Sequence, residues 1–274
     1  MIKTGRQPKT AVGMILLCLA LSTFGEATEQ GWRTLDGESR DPGRAERLIR
    51  DLMGPYSVNA LAAAVIQDGR IIFICHAGHI DENRLVKVGD QTVFRAASMG
   101  KPVFAYLVAR LADEGLFDLD RPIERILGKP LDSFPGYRDL AGDGRQKLLT
   151  PRLLLSHQSG FPNWRRMTQD RLAFLSGPGD RFGYSGKGYR LLQFVLETIT
   201  GEKLDRLARQ KVFLPLGMEQ SSFLWETRFD GRFAVQLDTG LVLLTACGEK
   251  IGIAAKVSRV LIGDRYSPFS WMGY

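Results

Sequence analysis

Residues that build metal centres and disulfide frameworks are scarce in this sequence. Its 274 residues include three cysteines and three histidines. His76 and His79 stand near an expected strand end and His157 stands alone, and no metal-ligand spacing appears among them. No metal and no cofactor is therefore expected. A Gly-x-Ser-x-Gly elbow is also missing, which removes the usual support for a Ser-His hydrolase with His157 as its base. The glycines of residues 177–188 follow no expected strand and are not closed by Gly-Lys-Ser/Thr. They read as a tight loop rather than a phosphate cradle. The apolar run Ala11 to Phe24 is shorter than the ~20 residues that a membrane span needs.

That run has a different meaning. Lys3, Arg6 and Lys9 precede it, and Gly25-Glu-Ala27 follows with small-x-small spacing. Together they read as a secretory signal peptide over residues 1–27, so the mature chain is expected to be periplasmic or secreted, without a stable membrane span. Cys18 would leave with the leader, and Cys75 and Cys247 would remain. Export permits a disulfide, but two cysteines so far apart do not imply one. The formal charge of +7 falls partly on the leader, and most other arginines alternate with acids or apolar positions. This is a solvated surface, not a nucleic-acid footprint. Hydrophobic content of 44% and charged content of 24% are those of a globular chain with a full core.

In chain order, Arg44 to Met53 reads as an amphipathic helix stopped by Gly54-Pro55. Leu61 to Ile66 and Arg70 to Cys75 flank Asp68-Gly69, a strong β-hairpin signal, and both strands look buried on two faces. Gln91 to Phe94 is strand-like. A long apolar-periodic helix then runs from near Ser98 through Leu111 and ends near Gly115. Residues 116–122 read as a turn and a short helix, and residues 128–149 as a surface loop. Thr150-Pro151 starts a helix as N-cap and first residue, and that helix breaks at Ser156 to Gly160. A second loop, Ser176 to Gly183, leads to a helix over Tyr189 to Thr200 that stops at Gly201.

Chemistry concentrates at Ser98-x-x-Lys101. With the helix beginning near Ser98, the two side chains share a face at i,i+3. The helix N-terminus favours developing negative charge there. A lysine in a dry site can give up its proton and activate a neighbouring hydroxyl. On its own, serine followed by lysine three residues later is a weak signal and more often describes an N-cap with a solvated lysine.

Four stretches in order resemble the serine β-lactamase and penicillin-binding-protein superfamily, and most of all its class C-like branch. That branch includes esterases, D-aminopeptidases and D-Ala-D-Ala carboxypeptidases. Phe94-Arg-Ala-Ala-Ser98-Met-Gly-Lys101 resembles the nucleophile motif. Leu153-Leu-Leu-Ser-His157-Gln-Ser-Gly160-Phe-Pro162 resembles the "LLSHTSG" loop. Phe182-Gly-Tyr184-Ser185-Gly186-Lys-Gly188-Tyr189 is similar to the Tyr-x-Asn motif and its helix, and Val212-Phe-Leu-Pro-Leu-Gly217-Met218 to the "PLGM" segment. The likeness covers roughly residues 57–234. It implies an α/β (α+β) fold with an antiparallel sheet flanked by helices and an inserted all-helical region. In that frame residues 28–97 and about 196–274 form the α/β part and about 98–195 the helical part, with 235–274 a divergent tail. It also implies Ser98 as the acylated nucleophile, with Lys101 and Tyr184 as the acid/base pair. A phenol has a reference pKa of ~10, so it needs a nearby cation to ionise near neutrality. The loop around His157 is structural in the family.

Two departures accompany the resemblance. Gly186 stands where the family has a substrate-binding asparagine, which shifts the expectation toward ester substrates. The family's third motif, Lys/His-x-Gly on a central strand, has no clear counterpart. Asp238-Thr-Gly240 has the wrong charge, and Lys250-Ile-Gly252 has Ile where a small hydroxylated residue is usual. The expectation is a sheet lacking its C-terminal strands. The function expected is an exported serine hydrolase acting on a β-lactam, ester or D-amino-acid peptide, with a small-molecule or cell-wall peptide as partner. The alternative is a truncated, impaired relative that is non-catalytic or only binds cell-wall-like ligands. Oligomeric state is not legible.

Overall fold

A computed structural model describes residues 31–34, 37–67, 70–232, 234 and 239–242. The expected leader, the expected turn at Asp68-Gly69, Cys247 and Lys250 to Gly252 lie outside the described residues. The chain divides into two compact units. One takes in the chain up to Gly100 and again from Leu216 onward, and the other is Lys101–Pro215.

The first unit begins with a two-stranded ribbon, β1 (Trp32–Arg33) and β2 (Ser39–Arg40). Helix α1 (Pro42–Met53) follows. Asp41 caps it by accepting the Arg44 N–H at 2.6 Å, with Pro42 at the first position, where a missing donor costs nothing. Ala45, Ile49 and Met53 recur every fourth residue and are its buried face. That face packs into one core with Trp32 and the inward side chains of the hairpin β3 (Ala60–Gln67) and β4 (Arg70–Gly78). Trp32 meets Phe73 with ring centroids 4.9 Å apart.

The hairpin is antiparallel, with Gln67 opposite Arg70 and an irregularity between Val65 and Ile66. Its two strands were expected to be buried on both faces, and this holds only where β3 begins, at Ala60 and Leu61. In β4, Phe73, Cys75 and Ala77 are buried while Ile74 is 37% exposed. Alternate side chains leave opposite faces of a strand, and α1 covers one of them. Burial pushes the Cys75 thiol up to about 11, with Glu46 adding to the rise. At the end of β4, Gly78 has φ +82°, and a Cβ there would lie 1.9 Å from the Asn59 carbonyl oxygen, so only glycine fits.

A third strand, β5 (Thr239–Val242), pairs with the other side of β3, Ala60 opposite Thr239. It runs parallel, which departs from the antiparallel sheet expected. Parallel neighbours need a long connection between them, and the whole helical unit lies between these two in the chain. The strand expected over Gln91 to Phe94 is reduced to Val93. Its N–H donates to the Arg232 carbonyl at 2.8 Å and its carbonyl accepts from Ala234 N–H at 3.0 Å.

The second unit holds α2 (Gly100–Asp113), α3 (Ile123–Leu127), α4 (Pro151–Leu155), α5 (Gly186–Thr200) and α6 (Leu204–Ala208). Leu191, Leu192, Val195 and Leu196 form the buried stripe of α5, and Phe104, Leu107, Val108 and Leu111 that of α2. Thr150 caps α4 by accepting from Leu153 N–H, and Gly201 ends α5 in a left-handed conformation. Residues 128–149 form three short 3₁₀ turns rather than open loop. No helix among the described residues is long and apolar enough to cross a membrane.

Candidate active site

Ser98 lies on a single 3₁₀ turn, Ala97–Met99, and is exposed. Ala97 holds φ +45°, a conformation that costs a non-glycine residue energy. The Gly100 N–H points back to the Ala97 and Ser98 carbonyls, and α2 proper begins at Gly100. The helix expected to start near Ser98 thus starts two residues later. Lys101 is the second residue of α2 and is half-buried.

The turn that carries Tyr184 leads into α5. This helix begins at Gly186, three residues before the start expected at Tyr189, because Ser185 is its cap. The Ser185 hydroxyl accepts the Gly188 N–H at 2.9 Å and donates to the Pro162 carbonyl at 3.2 Å. Gly186 N–H donates to Asn163 Oδ1 at 2.9 Å, and Ser185 N–H donates to His157 Nδ1 at 3.0 Å. Gly183 N–H donates to the His157 carbonyl at 2.8 Å. Tyr184 is enclosed by these bonds on the chain before and after it.

The aromatic rings gather around Lys101. Its Nζ lies 4.9 Å from the centroid of Tyr184 and 5.8 Å from that of Tyr189, within cation–π range. The His157 ring is 4.4 Å from Tyr184 and 4.9 Å from Tyr189, centroid to centroid, with Phe182 edge-on at 5.8 Å. Burial, and then the Lys101 cation, hold the imidazole below its ordinary value of 6.5. Burial raises the Tyr189 phenol, and its hydroxyl donates to the Leu155 carbonyl at 3.0 Å.

Of the four residues expected at the site, Lys101 and Tyr184 adjoin directly. Gly186 is two residues past Tyr184, on the first turn of α5, and Ser98 precedes Lys101 by three residues. A Cβ on Gly186 would lie 2.7 Å from Asn163 Oδ1 and 3.1 Å from the Asn163 carbonyl oxygen. The glycine is what lets Asn163 close on the helix terminus. Sequence reasoning passed over Asn163 and Tyr189, and no spacing rule singles out either. The left-handed His157, φ +58°, marks where the Leu153 to Pro162 motif turns. Among the described residues no group of three or more His, Cys, Asp or Glu side chains could hold a metal.

The Beta-lactamase family model matches residues 45–239 of this chain, more than half of it. Esterase EstB of Burkholderia gladioli is 28% identical over 207 residues, covering 65% of this chain and 50% of the esterase. Penicillin-binding protein 4 of Amycolatopsis lactamdurans is 28% identical over 194 residues, 66% of this chain and 49% of that protein. The chain thus spans about half the length of the curated relatives it matches. Among solved structures, a class C β-lactamase in complex with cefoxitin superposes with a TM-score of 0.58 at 18% identity, over 70% of this chain and 54% of that one. The octameric penicillin-binding protein homologue from Pyrococcus abyssi gives 0.56 at 23%, over 70% and 47%. These two likenesses show the fold. The match over residues 45–239 shows the family, and the chain belongs to the Beta-lactamase family.

Proposed function

We propose that this chain is an exported serine hydrolase that forms an acyl-enzyme on Ser98, with Lys101 and Tyr184 as the acid/base pair. The observation that carries the reading is the Lys101 ammonium over the Tyr184 ring, at a lysine three residues after the serine in the chain. The Ser98 hydroxyl attacks the substrate carbonyl carbon and its proton passes to the Lys101–Tyr184 pair. The tetrahedral adduct collapses, the carbonyl–heteroatom bond breaks, and the leaving group takes that proton. Water then adds to the acyl ester, giving its proton to the same pair, and the acid departs as Ser98 regains its hydrogen.

Esters are the substrate class we favour over β-lactams and D-amino-acid peptides. Position 186 carries no side-chain amide to bond a substrate amide, and Asn163 is engaged with the Gly186 N–H. An esterase is among the relatives matched at 28% identity. The proposed leader at residues 1–27 would deliver the enzyme to the periplasm or the exterior.

The test is intact-protein mass spectrometry after exposure to a fluorophosphonate, a penicillin and a short-chain activated ester, with Ser98→Ala alongside. A single adduct absent from the variant supports the reading, and faster labelling by the ester than by penicillin supports the substrate class. A folded chain that none of the three reagents labels overturns it.

A further inference from the structure

His157 packs its ring against Tyr184 and feels the charge of Lys101, and it accepts backbone N–H groups at both Nδ1 and its own carbonyl. Its ring lies 4.4 Å from Tyr184, and Nδ1 accepts the N–H of Ser185, the residue that follows Tyr184 in the chain. Its carbonyl accepts from Gly183, the residue that precedes it. One residue therefore grips the peptide on each side of Tyr184. The backbone at His157 is left-handed, φ +58°.

We infer that His157 is a positioning residue for the Ser98 acylation step: in its neutral, Nε2–H form it fixes Tyr184 beside Lys101. The inference rests on the hydrolase reading above. An N–H donor can be accepted only by an unprotonated Nδ1. Protonation would set N–H against N–H at 3.0 Å and bring a second cation to the aromatic cluster that Lys101 already occupies. Among the described residues, the charge that acts on the ring is Lys101 of α2, and the titratable rings against it are Tyr184 and, on α5, Tyr189. Burial and Lys101 both favour the neutral ring. Acid thus releases the turn that carries Tyr184, and the acylation rate should fall with it.

Two variants separate positioning from mere packing. His157→Asn places Oδ1 where Nδ1 stood, tolerates positive φ, and cannot titrate. His157→Leu keeps apolar bulk but offers no acceptor. Acylation by the activated ester is followed by intact mass from pH 5 to 8, and the ring tautomer by ¹⁵N NMR at pH 7.5. The expected results are an unprotonated Nδ1 and a roughly 10- to 100-fold slower Leu variant, the size of effect that small misplacement of a reacting group produces. The Asn variant should stay within about threefold of wild type at pH 7.5 and lose the decline in rate below pH 6.5. A protonated Nδ1, or an Asn variant with an unchanged acid limb, overturns the inference while wild-type labelling leaves the hydrolase reading intact. A folded wild type that never acylates overturns both.

Discussion

The starts of α2 and α5 each leave backbone N–H groups without an intrahelical partner, and the chain treats them differently. At α5, side-chain acceptors from Ser185, Asn163 and His157 take the N–H groups of Gly188, Gly186 and Ser185. At α2, the lead-in is a 3₁₀ turn whose cap position is Ala96, a residue with no side-chain acceptor to offer, and Ala97 carries φ +45°. The first arrangement holds an aromatic side chain in place. The second presents an exposed serine on a backbone that is costly to hold. Ser185 commits its hydroxyl oxygen to a backbone donor, the Gly188 N–H.

That contrast can be broken in four ways. The largest effect is expected from Ser98→Ala, which should remove every covalent adduct while leaving the melting temperature within a degree or two of wild type, since the side chain is exposed. Tyr184→Phe keeps the ring against His157 and Lys101 but deletes the phenol, and should slow acylation by roughly 10² to 10⁴, the range for general acid–base groups. An unchanged rate in a stopped-flow ester assay would remove Tyr184 from the mechanism. Ser185→Ala tests the other turn. It deletes a fully buried hydroxyl that serves two bonds, so a loss of about 1–3 kcal/mol in a urea titration is expected, against about 1 kcal/mol for Thr150→Ala, an ordinary cap at α4. Equal losses would mean that the Ser185 network adds nothing to a simple cap.

The smallest effect concerns pH. The folded-state His157 titrates below its ordinary 6.5, so the unfolded chain takes up the proton first as the pH falls. Its contribution to stability is complete above about pH 6.5 and declines below that value until the folded-state ring also protonates. Thermal unfolding at pH 7.5 and pH 5 should show a drop that His157→Asn reduces. A drop of the same size in the variant would assign the acid sensitivity elsewhere.

Much of the local structure was legible in advance because it is set by neighbours in the chain. Asp41 and Thr150 cap their helices by accepting the N–H three residues on, each followed by proline, and Gly201 ends α5 because it adopts a left-handed backbone at no steric cost. The β3–β4 hairpin follows from two apolar runs on either side of Asp68-Gly69, a sequence that favours a tight reversal. The strand expected at Gln91 to Phe94 shrank to Val93, since an apolar, β-prone stretch becomes a strand only if a partner lies alongside. The early start of α5 was missed because Gly186 and Gly188 are poor helix formers, and propensity alone pushed the boundary to Tyr189.

The order of motifs around Ser98, His157, Tyr184 and Gly217 is a property of the chain itself, and it was enough to indicate the family that the match over residues 45–239 shows. The tertiary structure alone decided that Lys101 meets Tyr184 across 83 positions of sequence, and that Asn163 and His157 close on the start of α5. Caps and turns are settled by a few adjacent residues. A cation over a ring, or a side-chain acceptor on a distant backbone N–H, exists only once packed helices have brought remote positions within a few ångströms.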